Sequence, residues 1–261
     1  MADLKNIVHL NAAQRGPVDA PPMVFLHTIG TDSSLWSQVI DLLPQNLHVI
    51  CLDLRGHGQT DCPTPPFAMG ALIKDVETAL DELNIRDSIV VGLGMGGLIA
   101  QGLAIKRLDQ VRALVLCGSA AKMGFAPHWE ADIAETMANG PGFICQKMMR
   151  AWFSRQALAD DAHLVWQSLF LTTPTDALLG SMHAIKGADF YTPTSGLRLP
   201  TLGICGSEDG VAPPDLMRET LALIPASDFK ILRKAGHLSC VDQPAAFAQL
   251  VTEFIQRIGH L

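Results

Sequence analysis

Asp209 and His237 are placed in the chain so that each could serve the other. Asp209 ends the run Leu202-Gly203-Ile204-Cys205-Gly206-Ser207-Glu208-Asp209, an apolar stretch that opens into a polar loop, with Glu208 as the neighbouring alternative. His237 follows in Lys234-Ala235-Gly236-His237-Leu238-Ser239, just past the last apolar run. An imidazole backed by a carboxylate at one nitrogen can take a proton at the other, and this chemistry calls for an activated nucleophile in front of it. The expected place is the turn Gly92-Leu93-Gly94-Met95-Gly96, where the pattern G-x-S-x-G presents a serine at its tip. The serine position is Gly94. The oxyanion donors expected with such a turn are the N–H of Met95 and that of Ile29 in His27-Thr28-Ile29-Gly30-Thr31-Asp32. His27 and Asp32 read as structural, and His48, His128, His163, His183 and His260 as surface or core histidines.

These residues need a scaffold that delivers them to one edge. Short apolar runs at residues 7–11, 23–27, 48–53, 88–92, 113–117, 201–205 and 229–232 read as strands. Segments 34–43, 69–83, 95–106, 214–223 and 244–258 carry apolar residues at helical spacing and read as crossover helices. The alternation is that of an α/β protein with a mostly parallel central sheet and helices on both faces. Residues 120–191 hold Trp129, Trp152 and Trp166 with helical periods and no convincing strand. They read as a helical lid inserted into a core made of residues 1–119 and 192–261.

The same glycines, Gly92, Gly94 and Gly97, also spell G-x-G-x-x-G. A dinucleotide fingerprint belongs to the first βα unit with an acidic residue about 20 positions on, whereas this turn follows several strands and leads to Asp109 in a loop. Composition narrows the field further. A net charge of −7 with 19 scattered Lys and Arg gives no basic face for nucleic acid. No apolar stretch approaches the roughly 20 residues that cross a bilayer, and Met1-Ala2-Asp3-Leu4-Lys5 lacks a signal-peptide pattern. A cytoplasmic protein is expected. Of the six cysteines, Cys51, Cys117 and Cys205 lie inside strand runs and read as core residues; no metal-ligand spacing appears.

With these landmarks assembled, the chain resembles the β-ketoadipate enol-lactonase branch of the α/β-hydrolase superfamily over essentially its whole length. The likeness rests on Ile29-Gly30-Thr31-Asp32 with Trp36, Asp53-Leu54-Arg55-Gly56-His57-Gly58, the Gly92 to Gly97 turn, Arg150-Ala151-Trp152-Phe153, and Gly236-His237-Leu238-Ser239 with Gln243-Pro244. It implies the α/β-hydrolase fold and a cofactor-free hydrolase of a small, carboxylate-bearing lactone or ester; the expected partner is a small-molecule substrate, with no nucleic acid or membrane and a homo-oligomer left open. The lid should then wall the pocket, with Trp129, Trp152 and Phe125 as apolar contacts and Arg150 first among the carboxylate partners, ahead of Lys122 and Lys147.

Gly94 departs from that family, whose nucleophile there is serine. Glycine accepts the strained backbone of such a turn, so the fold survives while the hydroxyl is lost. Three readings follow: a serine hydrolase inactivated by substitution; an enzyme whose His237 and Asp209 activate a water seated in the vacated space, or move a proton in hydrolytic or lyase chemistry; and a non-catalytic protein binding a small ligand in the pocket. Thr28, Ser119 and Cys240 are alternative nucleophiles by proximity, but none occupies the turn and each reads as packing or loop chemistry.

Overall fold

The computed structural model describes residues 7–261; the N-terminal Met1 to Lys5, read above for leader sequences, lies outside them. Among the described residues seven strands form one sheet: β1 (Ala12–Arg15), β2 (Pro22–Leu26), β3 (His48–Leu52), β4 (Ser88–Leu93), β5 (Val111–Cys117), β6 (Thr201–Gly206) and β7 (Ser227–Leu232). Across the sheet the order is β1-β3-β2-β4-β5-β6-β7, with β1 antiparallel to β3 and every other pairing parallel. Strands covered on both faces need continuous apolar sequence, and β3 and β4 are buried at every residue.

The helices outside the β5–β6 interval are α1 (Ser37–Ile40), α2 (Met69–Glu82) and α3 (Met95–Lys106) before it. After it come α10 (Pro214–Ala222), α11 (Ser239–Asp242) and α12 (Pro244–Arg257). Helix α1 packs against α12, and α2 against α3, with α3 and α12 lying on the sheet. Helix α3 is apolar nearly all round because it is enclosed between the sheet and α2, and ten of its residues are buried. Between β5 and β6 the described chain is helical only, in α4 (Ala126–Asn139), α5 (Gly142–Trp152), α6 (Arg155–Ala159), α7 (Leu164–Thr172), α8 (Thr175–Gly187) and α9 (Tyr191–Thr194).

Two elements differ from the sequence reading. The first strand is not residues 7–11 but Ala12–Arg15, which pairs with β3 from Ala12 opposite Leu52 to Arg15 opposite Val49. The earlier stretch is held by side chains instead: the N–H of Val8 donates to Asp75 at 3.0 Å and that of Asn11 to Thr60 Oγ1 at 2.9 Å. The expected helix over residues 34–43 is a 3-10 turn, Ser33–Trp36, followed by the single turn of α1. Asp32 caps that turn by accepting the Ser34 N–H at 2.9 Å, and Trp36 drops into the core between Phe25 and Phe247, at ring-centroid distances of 5.2 and 6.0 Å. Pinning an indole there interrupts the helical period that the sequence suggests.

The winding direction reverses between β2 and β4. At such a switch point the loops leaving the carboxyl ends of neighbouring strands diverge and leave a crevice, where ligands of open α/β sheets bind. Here the two loops are residues 27–32, after β2, and the tip at Gly94, after β4.

Candidate active site

Gly94 sits between β4 and α3 with φ 53° and ψ −113°, a left-handed setting that costs a side-chain-bearing residue strain. Its N–H donates to Cys117 O at 3.0 Å, and its carbonyl accepts the Ser119 hydroxyl at 2.9 Å, so the turn is fastened to the end of β5. The sharp tip therefore persists without a side chain on it.

The loop after β6 carries Asp209, the expected acid. Both N–H groups of Val211 and Ala212 donate to Asp209 Oδ1 at 2.8 Å, which fixes the carboxylate. His237 Nδ1 then lies 3.0 Å from Asp209 Oδ2 and 3.2 Å from Oδ1, with both residues buried. That contact places the ring proton on Nδ1 and leaves Nε2 as the free base, with no hydrogen-bond partner among the described residues. Glu208, the alternative acid, turns outward and accepts the Arg155 N–H at 2.9 Å. Asp242 closes the base loop onto the helical segment by accepting from Gly236 at 2.7 Å and from Ser154 at 3.1 Å, and burial pushes its carboxyl up.

Ile29 is gripped from both sides by histidines. His27 Nε2 accepts the Leu54 N–H at 2.8 Å, so its Nδ1 proton faces Thr28 O at 2.7 Å. His57 Nε2 accepts the Gly30 N–H at 3.0 Å while its Nδ1 donates to Arg55 O at 2.9 Å. Burial pushes His27 down to about 4; burial and then the neighbouring His27 push His57 down to about 3. Both rings are neutral, as their acceptor roles require. His57 is itself held by a built loop. Burial would raise the Asp53 carboxyl, but donors from Gln59, Ser33 and Asn11 outweigh it and hold it below the usual range. Arg55 meets Asp75 through Nε at 2.6 Å and through Nη2 at 2.8 Å.

Thr28 changes the meaning of Gly94. A Cβ built on Gly94 would lie 2.4 Å from Thr28 Oγ1, 2.9 Å from His237 Nε2 and 3.1 Å from Thr28 Cβ. The space expected for a water is thus narrowed by the Thr28 side chain on one side and bounded by His237 Nε2 on the other. The Met95 N–H, one of the two expected oxyanion donors, donates to the same Oγ1 at 3.4 Å.

The helical segment closes over these groups. Its Ala151 and Trp152 carbonyls accept the N–H of Gly210 and of Leu238, both at 3.0 Å, so α5 is tied to the acid and base loops directly. Phe170 of α7 is fully buried, lies edge-on to Trp152 at 5.6 Å and presses on Gly30, where an added Cβ would come within 2.3 Å of its ring.

A profile of the alpha/beta hydrolase family matches residues 23–250. The chain belongs to the alpha/beta hydrolase family. Among its relatives, 3-oxoadipate enol-lactonase 2 of Acinetobacter baylyi is 30% identical over 254 residues, covering 97% of this chain and 95% of that one. Among solved structures, the enol-lactonase of Burkholderia xenovorans LB400 superposes with a TM-score of 0.91 at 27% identity, covering 95% of this chain and 97% of that one. A hydrolase from Pseudomonas aeruginosa PA01 gives 0.90 at 27% identity, with 95% and 94% covered.

In this alpha/beta hydrolase the structure brings Gly94, Met95, Thr28, Asp209 and His237 together at the tip after β4; Ile29 follows Thr28 in the chain, and Trp152 is buried with its carbonyl on the His237 loop. Other expected pocket residues stand elsewhere. Arg150 is on the exposed side of α5, with no hydrogen bond or ion pair among the described residues. Phe125 is 61% exposed and packs on His128, while Trp129 is half-buried with its Nε1–H on Met123 O. Lys122 and Lys147 pair with Asp189 and Asp132. His57 and Phe170 carry no role that the sequence pattern alone reveals. The motif around His57 was visible, but its bond to Gly30 joins residues 27 apart. Among the described residues no group of three or more His, Cys, Asp or Glu could hold a metal ion, and no helix is long and apolar enough to cross a membrane.

Proposed function

We propose that this chain is a cofactor-free, cytoplasmic hydrolase of a small lactone or ester, the class named by its enol-lactonase relatives, and that its substrate carries a carboxylate. His237 is the general base, Asp209 holds its tautomer and orientation, and the N–H groups of Ile29 and Met95 receive the oxyanion. One observation carries the reading: His237 Nδ1 rests on Asp209 at 3.0 Å while Nε2 points, unpartnered among the described residues, at the tip where a nucleophile is presented. The retained pairing of His237 with Asp209 tells against a protein that only binds.

The fit between Gly94 and Thr28 favours a working glycine enzyme over a serine enzyme that has lost its hydroxyl, because a side chain at 94 would collide with Thr28 as it stands. The test is hydrolysis of a panel of small acidic lactones and neutral esters by the chain as it is. His237→Ala should cut the rate by about 10²- to 10⁴-fold, the span of general-base assistance. A chain that hydrolyses nothing, or a rate indifferent to His237, overturns the proposal.

A further inference from the structure

We infer that Thr28 supplies the attacking hydroxyl that Gly94 lacks, so that the nucleophile of this enzyme comes from the oxyanion loop. The inference rests on His237 acting as the base. Thr28 Oγ1 and His237 Nε2 lie against one point, the position of a residue-94 Cβ, at 2.4 and 2.9 Å. Among the described residues Nε2 accepts from nothing and the Thr28 hydroxyl donates to nothing, although its oxygen accepts the Met95 N–H. A free donor and a free acceptor therefore flank the point where this fold presents its nucleophile, with no hydrogen bond between them in this structure.

The surrounding groups suit the role. Thr28 precedes Ile29, so one oxyanion donor follows the nucleophile directly in the chain, and Met95 supplies the other from across the crevice. The Thr28 carbonyl is held by His27 at 2.7 Å and by the Thr31 hydroxyl at 2.9 Å, which fixes the backbone from which Oγ1 projects. The rival hydroxyl and thiol are committed elsewhere. Ser119 Oγ is bonded to Gly94 O beneath the tip, and burial pushes the fully enclosed Cys240 thiol up, away from the reactive thiolate.

On substrate binding the carbonyl oxygen takes the Met95 N–H and frees Thr28 Oγ1, whose side chain turns to donate to His237 Nε2. The Thr28 hydroxyl proton passes to His237 Nε2 as Oγ1 bonds to the carbonyl carbon, and the carbonyl π pair moves onto the oxygen held by Ile29 and Met95. Collapse of this intermediate breaks the bond to the leaving oxygen, which takes the proton from Nε2. In a lactone that oxygen stays tethered to the acyl group. Water then gives a proton to Nε2 and bonds to the acyl carbon; collapse releases the acid, and Thr28 recovers its proton. The net change is ester plus water to acid plus alcohol.

The experiment treats the whole chain with a small alkyl fluorophosphonate, whose fluoride leaves as an activated hydroxyl attacks phosphorus. One adduct should form, mapping by mass spectrometry to the peptide that contains Thr28; Thr28→Ser should keep it, and Thr28→Val and His237→Ala should lose it. In hydrolysis Thr28→Val should lower kcat/KM by about 10³-fold or more, as loss of a nucleophile does, with Thr28→Ser retaining measurable turnover. If Thr28→Val does not fold, the adduct position on the unaltered chain decides. Absence of an adduct there, or an adduct on another residue, overturns the assignment. Hydrolysis that needs His237 but survives Thr28→Val also overturns it, pointing to water as the nucleophile, and leaves the reading of His237 intact.

Discussion

The Gly30 N–H donates to Nε2 of His57 at 3.0 Å, and this bond ties the loop after β2 to the loop that follows β3. A protonated imidazole cannot accept it. The same holds for His27 and the Leu54 N–H, so the loop around Ile29 depends on two rings that must stay uncharged.

This requirement gives stability a pH dependence of definite sign. Both rings have folded pKa values below the unfolded value near 6.5, about 4 for His27 and about 3 for His57. Between those limits the unfolded chain binds more protons, so the stabilisation is complete above pH 6.5 and is lost as pH falls through the folded values. By pH 5 the loss is about 2 kcal/mol per ring, or roughly 4–8 °C of Tm for a domain of this size. Melting curves from pH 7.5 to 5 should show it. In His57→Gln, less stable at neutral pH, the slope should be visibly shallower; an unchanged slope would count against the assignment.

Gly94 and Thr28 should prove energetically coupled. Gly94→Ser places a side chain at positive φ against Thr28 and is expected to cost about 1–3 kcal/mol. Adding Thr28→Ala should recover part of that, with a coupling of about 0.5–3 kcal/mol in a double-mutant cycle. Urea denaturation measures all four proteins, and strict additivity would show that the two side chains do not compete for one space.

Asp209 and Glu208 are adjacent, yet they should separate cleanly. Asp209→Asn keeps an acceptor for Val211 and Ala212 but no longer selects the tautomer of His237, and should cost about 10⁴-fold in kcat by analogy with the same change in a serine protease triad. Glu208→Gln, at the outward-facing carboxylate, should stay within about twofold in assays at neutral pH, the change of an exposed pair.

Arg150 is a solvent-exposed cation, and its influence on an acidic substrate should be that of attraction across water. Arg150→Ala should lower kcat/KM for an acidic lactone by no more than about fivefold, the ceiling set by exposed charge pairs, and leave a neutral ester unaffected. The difference should vanish at about 1 M salt, where the screening length is about 3 Å. A larger, salt-insensitive effect would mean that the side chain enters the crevice.

What could be read from the chain was what depends on local pattern. The β-branched runs before Gly92 and around Val115 and the apolar period of residues 95–106 carry their own signal, and Asp209 and His237 announce themselves by following apolar runs. Ala12–Arg15 carries little strand signal because an exposed edge strand needs no apolar residues; only its pairing with β3 defines it. The break at Trp36 comes from Phe25 and Phe247, the latter more than 200 positions away in the chain. The meaning of Gly94 depended likewise on Thr28, which is brought to it by the adjacency of β2 and β4 in the sheet.

Phe170, packed on Gly30 and shut from solvent, has a consequence for time as well as space. The ring lies directly against the loop that carries Ile29, so any shift of α7 is felt at that loop. Motions of this kind run from microseconds to milliseconds and often govern turnover. A single aromatic ring thus couples the mobility of the helical segment to that of the loop beside Gly94.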